Sequence, residues 1–208
     1  MTFGFLLFDQ LEELDLLGPW EMITTWGVYA DGPTACCTIS QLGEGVTCAK
    51  GMRLATDYSF ADGPPLDYLL IPGGRGTRVE VDNPVLIDFV RDQAKRCKIV
   101  ASVCTGAFLL QAAGLLEGKR ATTHWKSLDR LRQFAEVMVV EERFVRDGAV
   151  WTAAGVSAGI DMALALIADQ GGAEAAGMVQ LYAEYYPSGQ RYGTAHQQPG
   201  LPGYLKAE

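Results

Sequence analysis

Short apolar runs bounded by turn residues recur along the chain and alternate with segments whose apolar residues fall three and four positions apart. A chain with that rhythm has few ways to bury both kinds of face. Continuous apolar runs are the mark of strands covered on both sides, and parallel pairing of such strands requires long crossovers, usually helices. An α/β fold with a mostly parallel central sheet is therefore expected. Phe3–Phe8, Asp67–Ile71 and Ile99–Val103 read as buried strands. Gly18-Pro19 suggests a helix from about Pro19, and Asn83-Pro84, with Asn as cap and Pro in the first turn, suggests another running to about Arg96. Thr105–Leu116, Ser157–Asp169 and Ala173–Tyr185 read as further helices. Cys36–Leu42 and Val46–Leu54 look like a hairpin about Gly43-Glu44-Gly45, lying partly outside the main sheet. Ala121–Thr123 reads as a strand, and Val137–Phe144 with Val150–Thr152 as a hairpin about Asp147-Gly148. Beyond Tyr186 the periodicity ends, so the expected organisation is one α/β domain over 1–186 and a polar Gly/Pro-rich tail over 187–208.

Composition narrows the function classes. With 208 residues and 49% of them apolar, the chain can bury one substantial core. Its formal charge of −8 and lack of a Lys/Arg cluster argue against nucleic acid as a partner. No apolar run approaches the ~18 residues of a membrane span, and Met1–Phe8 carries no basic leader, so a soluble cytoplasmic protein is expected. Five cysteines, two of them adjacent at Cys36-Cys37, fit neither a disulfide framework nor a zinc site. With only His124 and His196 available, no His-rich metal site is expected either.

The most informative local feature is Ile99-Val100-Ala101-Ser102-Val103-Cys104-Thr105-Gly106, an apolar strand that runs into a helix with cysteine at the joint. A tight strand-to-helix turn pushes its central side chain out of the sheet, and the glycine beyond permits close backbone approach, the logic of a nucleophile elbow. The helix N-terminus is expected to lower the thiol pKa. A buried structural role is the commoner fate of a free thiol and is assigned to Cys36, Cys37, Cys48 and Cys97; the position of Cys104 favours a nucleophile. Asp15 lies in the apolar stretch Leu14-Asp15-Leu16-Leu17, where it could be either a helix cap or a proton-carrying carboxyl of raised pKa. Gly73-Gly74-Arg75-Gly76 could present backbone N–H groups to an anion or oxyanion, although turn chemistry also explains it. His124 reads better as a helix cap than as a catalytic base.

Ser102–Phe108, Ala113–Trp125, Phe5–Phe8, Leu14-Asp15-Leu16, Gly18-Pro19, Pro64–Asp67, Ile71–Gly74 and Arg146-Asp147-Gly148 together resemble the ThiJ/PfpI superfamily over about residues 3–185. The resemblance implies a flavodoxin-like three-layer sandwich and a homodimeric enzyme without metal or organic cofactor. The most similar branch adds water to an isocyanide, giving an N-substituted formamide. By the same resemblance Cys104 is the nucleophile, Thr105 the neighbouring hydroxyl and Asp15 the acid facing the thiol. Glu184–Gly189 departs from the proline-rich continuation expected after the last helix. Other readings are a stand-alone ligand-sensing domain similar to those of AraC-type regulators, although no basic recognition helix follows through Glu208, and glyoxalase- or deglycase-like aldehyde chemistry. The superfamily's peptidases place histidine after the cysteine, whereas this chain has Thr105. A redox sensor, needing only an activated thiol, ranks third.

Overall fold

Seven strands form the main sheet in the order β10-β11-β7-β6-β1-β2-β5, parallel except for the β10–β11 pair at one edge. The computed structural model describes residues 1–206, so the last two positions of the expected 187–208 tail lie outside the described residues. The strands are β1 (Thr2–Leu6), β2 (Ala35–Ser40), β3 (Val46–Thr47), β4 (Arg53–Leu54), β5 (Tyr58–Ser59), β6 (Tyr68–Ile71), β7 (Ile99–Val103), β8 (Arg120–Ala121), β9 (Met138–Val139), β10 (Phe144–Asp147) and β11 (Val150–Ala153). The helices are α1 (Glu13–Tyr29), α2 (Thr77–Glu80), α3 (Pro84–Ala94), α4 (Ala107–Ala112), α5 (Leu128–Leu131), α6 (Ala158–Gly171) and α7 (Ala173–Tyr182). This is the flavodoxin-like three-layer sandwich.

Topology places the helices. From β1 the chain crosses through α1 to β2 on one side, and from β6 it crosses through α3 to β7 on the other. Right-handed crossovers in opposite directions put α1 and α3 on opposite faces. Accordingly α1, α6 and α7 pack together, while α4 packs with α2 and α3. The direction reverses between β1 and β6, and a crevice opens beyond the carboxyl ends of strands at such a switch point. The strand that precedes Asp15, the one that precedes Gly73 and the one that precedes Cys104 all end there.

Several expected boundaries move. The first helix begins at Glu13, well before Pro19, which lies inside it. The bond that this proline forfeits is the one to the carbonyl of Asp15, and its ring fits against α6 because Gly159 has no Cβ; one would lie 3.0 Å from Pro19 Cγ. The proposed hairpin of Cys36–Leu42 with Val46–Leu54 does not form. Its first half is β2, an interior strand beside β1, and its second half folds on itself as the β3–β4 pair about Gly51, whose φ of 95° suits glycine. Val137–Phe144 is likewise divided: Met138–Val139 pairs in parallel with Arg120–Ala121, and the edge strand resumes at Phe144. The helix expected over Thr105–Leu116 is a single 3₁₀ turn, Cys104–Gly106, followed by α4. Asn83 caps α3 as its sequence suggests, accepting from the Val85 and Leu86 amides at 3.2 and 3.4 Å. Beyond α7 the described residues form only short 3₁₀ turns, yet Leu201 and Pro202 are buried and Tyr204 packs on the core. Among the described residues no helix is long and apolar enough to cross a membrane.

Candidate active site

Cys104 stands at the end of β7 with φ 57°, a left-handed conformation that a non-glycine residue adopts at a cost in strain. Its backbone is held from both sides: its N–H donates to the Ala154 carbonyl at 2.9 Å, and its carbonyl accepts from Thr123 Oγ1 at 2.7 Å. The side chain is therefore thrown out of the sheet into the crevice, as the sequence of the elbow suggests. Across from it, Val156 has φ 51°, which for a β-branched residue is a genuine outlier.

Asp15 sits in the first turn of α1 and is fully buried. It is not the helix cap, a position filled by Glu12. One carboxylate oxygen, Oδ2, accepts from the Gly73 amide at 2.9 Å. Oδ1 is enclosed, with no hydrogen-bond partner among the described residues. Burial raises the Asp15 pKa to about 7, against the opposing pull of Gly73, Cys104 and Val156. Burial also pushes the Cys104 thiol up, and the Asp15 charge adds to this, while the Thr105 amide and hydroxyl work the other way. The expected lowering by the helix N-terminus is outweighed, because the thiol is 7% exposed and the following helix is short. The carboxyl and thiol thus titrate as a pair that keeps one proton between them over a wide range above about pH 7.

Glycine makes this convergence sterically feasible. A Cβ on Gly73 would lie 2.5 Å from the Thr105 nitrogen, 2.7 Å from Asp15 Oδ2 and 2.8 Å from Cys104 Cβ. Gly74, with φ 124°, crosses the β1–α1 loop so closely that a Cβ would meet the Gln10 carbonyl oxygen at 2.4 Å. The two amides expected to face an anion are instead engaged within the protein: Gly73 donates to Asp15, and Gly74 donates to Thr105 Oγ1 at 2.9 Å. Thr77, which the sequence reading passed over, completes the support by donating to the Gly74 carbonyl at 2.8 Å, 3.1 Å from Thr105 Oγ1. A single threonine after a Gly-rich turn carries no sequence signal of that role.

The thiol opens into a cavity of about 420 Å³, whose lining includes Gly74, Arg75, Thr105, His124, Arg130 and Val156. That is a small-molecule volume. His124 caps the turn after it, Nδ1 accepting from the Lys126 amide at 3.2 Å, so in the neutral ring Nε2 carries the proton. Burial, reinforced by Lys126, holds the His124 pKa below its usual value. The remaining cysteines are unpaired, and burial lifts Cys36, Cys37 and Cys48 to about 11 and Cys97 to about 12. Among the described residues no group of three or more His, Cys, Asp and Glu side chains is arranged to hold a metal ion.

Comparison with known proteins agrees with this architecture. The sequence profile described as the DJ-1/PfpI family matches residues 2–169. An isonitrile hydratase from Pseudomonas putida is 39% identical over 194 residues, spanning 90% of this chain and 80% of that protein. An HTH-type transcriptional regulator from Pseudomonas aeruginosa is 30% identical over 138 residues, 66% of this chain but 37% of the regulator. The crystal structure of a ThiJ/PfpI family protein from Pseudomonas syringae superimposes with a TM-score of 0.85 at 30% identity, covering 99% of this chain and 82% of that one.

Proposed function

Because the chain belongs to the DJ-1/PfpI family, we propose that it is an enzyme that hydrates isocyanides to N-substituted formamides through a covalent bond to Cys104. The observation that carries this reading is the buried carboxyl of Asp15 beside the thiol, with a pKa of about 7, which lets one group give and take protons at neutral pH. The similarity to an isonitrile hydratase supplies the reacting group.

The chemistry suits these parts. The Cys104 sulfur attacks the terminal carbon of R–N≡C, and Asp15 delivers its proton to that carbon, giving the thioimidate R–N=CH–S–Cys104. Water then adds to the same carbon: its oxygen forms the new C–O bond, Asp15 takes one of its protons, and the imine nitrogen receives a proton from Asp15. As the C–S bond breaks, the hydroxyl proton returns to Asp15, the sulfur leaves as thiolate, and R–NH–CHO is released. Atoms and charge balance without an external reductant or oxidant. Gly73 and Gly74 serve as positioning residues, one amide fixing Asp15 and the other the Thr105 hydroxyl beside the sulfur. The protein works as a homodimer in this reading, for which sedimentation equilibrium gives twice the chain mass; a monomer at working concentration contradicts it.

Formamide production from a simple aryl isocyanide tests the proposal. Turnover is expected from the wild type and is lost in Cys104→Ala; in Asp15→Asn it falls by about 100-fold or more, the usual scale for a general acid–base group. Absence of turnover across several isocyanides rejects the hydratase reading and moves weight to a ligand-sensing role, as in the similar regulator, or to aldehyde chemistry.

A further inference from the structure

The charges around the mouth of the Cys104 cavity are out of keeping with the rest of the chain. The protein has a formal charge of −8, yet Arg75, Arg78, Lys126 and Arg130 all line this one cavity. They come from two segments on either side of the thiol: Arg75 and Arg78 from the Gly-rich turn and α2, Lys126 and Arg130 from the turn after His124 and α5. None of the four has a carboxylate within ion-pair distance among the described residues. Elsewhere the basic side chains are commonly neutralised, Arg132 by Asp129 and Glu141, Arg143 by Asp161, and Arg146 by Asp169. The one acidic residue of the lining, Glu12, is itself paired with Lys50.

Two of the cations are pre-positioned. The Arg130 guanidinium lies over the Phe108 ring at 4.2 Å from its centroid, and Lys126 Nζ over Trp125 at 5.1 Å. Stacking of this kind fixes a cation while leaving the donors at its edge unused. His124 contributes a neutral N–H donor on the same wall. Uncompensated like charges held close together cost free energy, and an anionic ligand relieves that cost.

We propose that the physiological substrate of Cys104 carries a negatively charged group, a carboxylate on the same small molecule as the reacting carbon, bound by the Arg75, Arg78, Lys126 and Arg130 rim while the reacting carbon reaches the thiol. This deepens the hydratase reading and rests on it for the isocyanide group, but the charge preference belongs to the cavity and can be tested separately. The rim residues are exposed, so the preference is salt-sensitive, since the screening length is only about 10 Å at 0.1 M ionic strength.

Two measurements separate the two claims. The first compares the rates at which iodoacetate and iodoacetamide alkylate Cys104, each divided by its rate with a free small thiol. The normalised ratio favours iodoacetate by about tenfold or more in the wild type at low salt, the scale of a charge-assisted contact. It is retained in Arg53→Gln/Arg96→Gln, an equal charge change outside the cavity, and returns to the free-thiol value in Arg75→Gln/Arg130→Gln. Arg78→Gln, on an exposed site, gives a partial loss and serves if the double variant does not fold. A wild-type ratio equal to that of the free thiol, or one unmoved by the rim substitutions, overturns the proposal. The second compares kcat/KM for 4-isocyanobenzoate and its uncharged methyl ester, with the acid favoured through KM. Failure to hydrate either compound removes the hydratase reading, while the alkylation ratio still decides the anion preference.

Discussion

At the scale of single residues the account turns on a buried carboxyl placed beside a buried thiol. Asp15 has its pKa raised from 3.8 to about 7 by burial, so the folded state holds its proton more tightly than the unfolded chain. Its contribution to stability is fully present below pH ~4 and is lost as pH rises toward 7, because the unfolded state releases the proton first. Asp15→Asn keeps an oxygen for the Gly73 amide and places no charge in the core. It is therefore expected to be more stable than the wild type at pH 8, by roughly 2–4 kcal/mol from a shift of this size, and equal to it near pH 4, as read from urea midpoints. Equal stability at both pH values contradicts the burial argument. Cys104 was legible in the sequence because a continuous apolar strand ends on Cys-Thr-Gly, whereas the direction of its pKa was not, since desolvation is set by residues brought in from Asp15, Gly73 and Val156. The φ of 51° at Val156 has no sequence sign at all. The cationic rim was equally hidden, because Arg75 and Arg78 are separated along the chain from Lys126 and Arg130 and only the fold brings them around one cavity.

At the scale of elements, what could be read depended on whether the signal was local. The cap of α3 is local: Asn83 and Pro84 announce it, and the Asn83 side chain takes up the first-turn amides while donating to Gln41 and Glu80 at 2.8 and 2.7 Å. Asn83→Ala is expected to cost about 1–2 kcal/mol in chemical denaturation with unchanged hydration activity; no measurable loss contradicts the capping role. The strand partners of Cys36–Leu42 and Val46–Leu54 are not local. Turn glycines between two apolar runs suggested a hairpin, but the core rewards inserting β2 beside β1, where Cys37 and Ile39 are buried. The start of α1 was missed for a related reason. Pro19 is a good first-turn residue in isolation, yet its packing against Gly159 makes an interior position tolerable, and this moves Asp15 from an ambiguous capping position into the helix and under the Gly73 loop.

At the scale of the whole molecule, the site lies where it does because the sheet reverses its winding between β1 and β6, so the loops after β1, β6 and β7 meet at one crevice. The isolated bridge between Leu11 and Gly74 ties two of those loops together. The family fold thus supplies the meeting point, and the particular side chains delivered to it supply the chemistry. The central claim is that Cys104 forms a bond to the isocyanide carbon, and intact-protein mass spectrometry of the wild type, quenched with acid during turnover of an aryl isocyanide, tests it most directly. The account expects a species heavier by the mass of one isocyanide, located on the peptide bearing Cys104 and absent from Cys104→Ala. Formamide production by the wild type with no such adduct, or with undiminished turnover in Cys104→Ala, contradicts it.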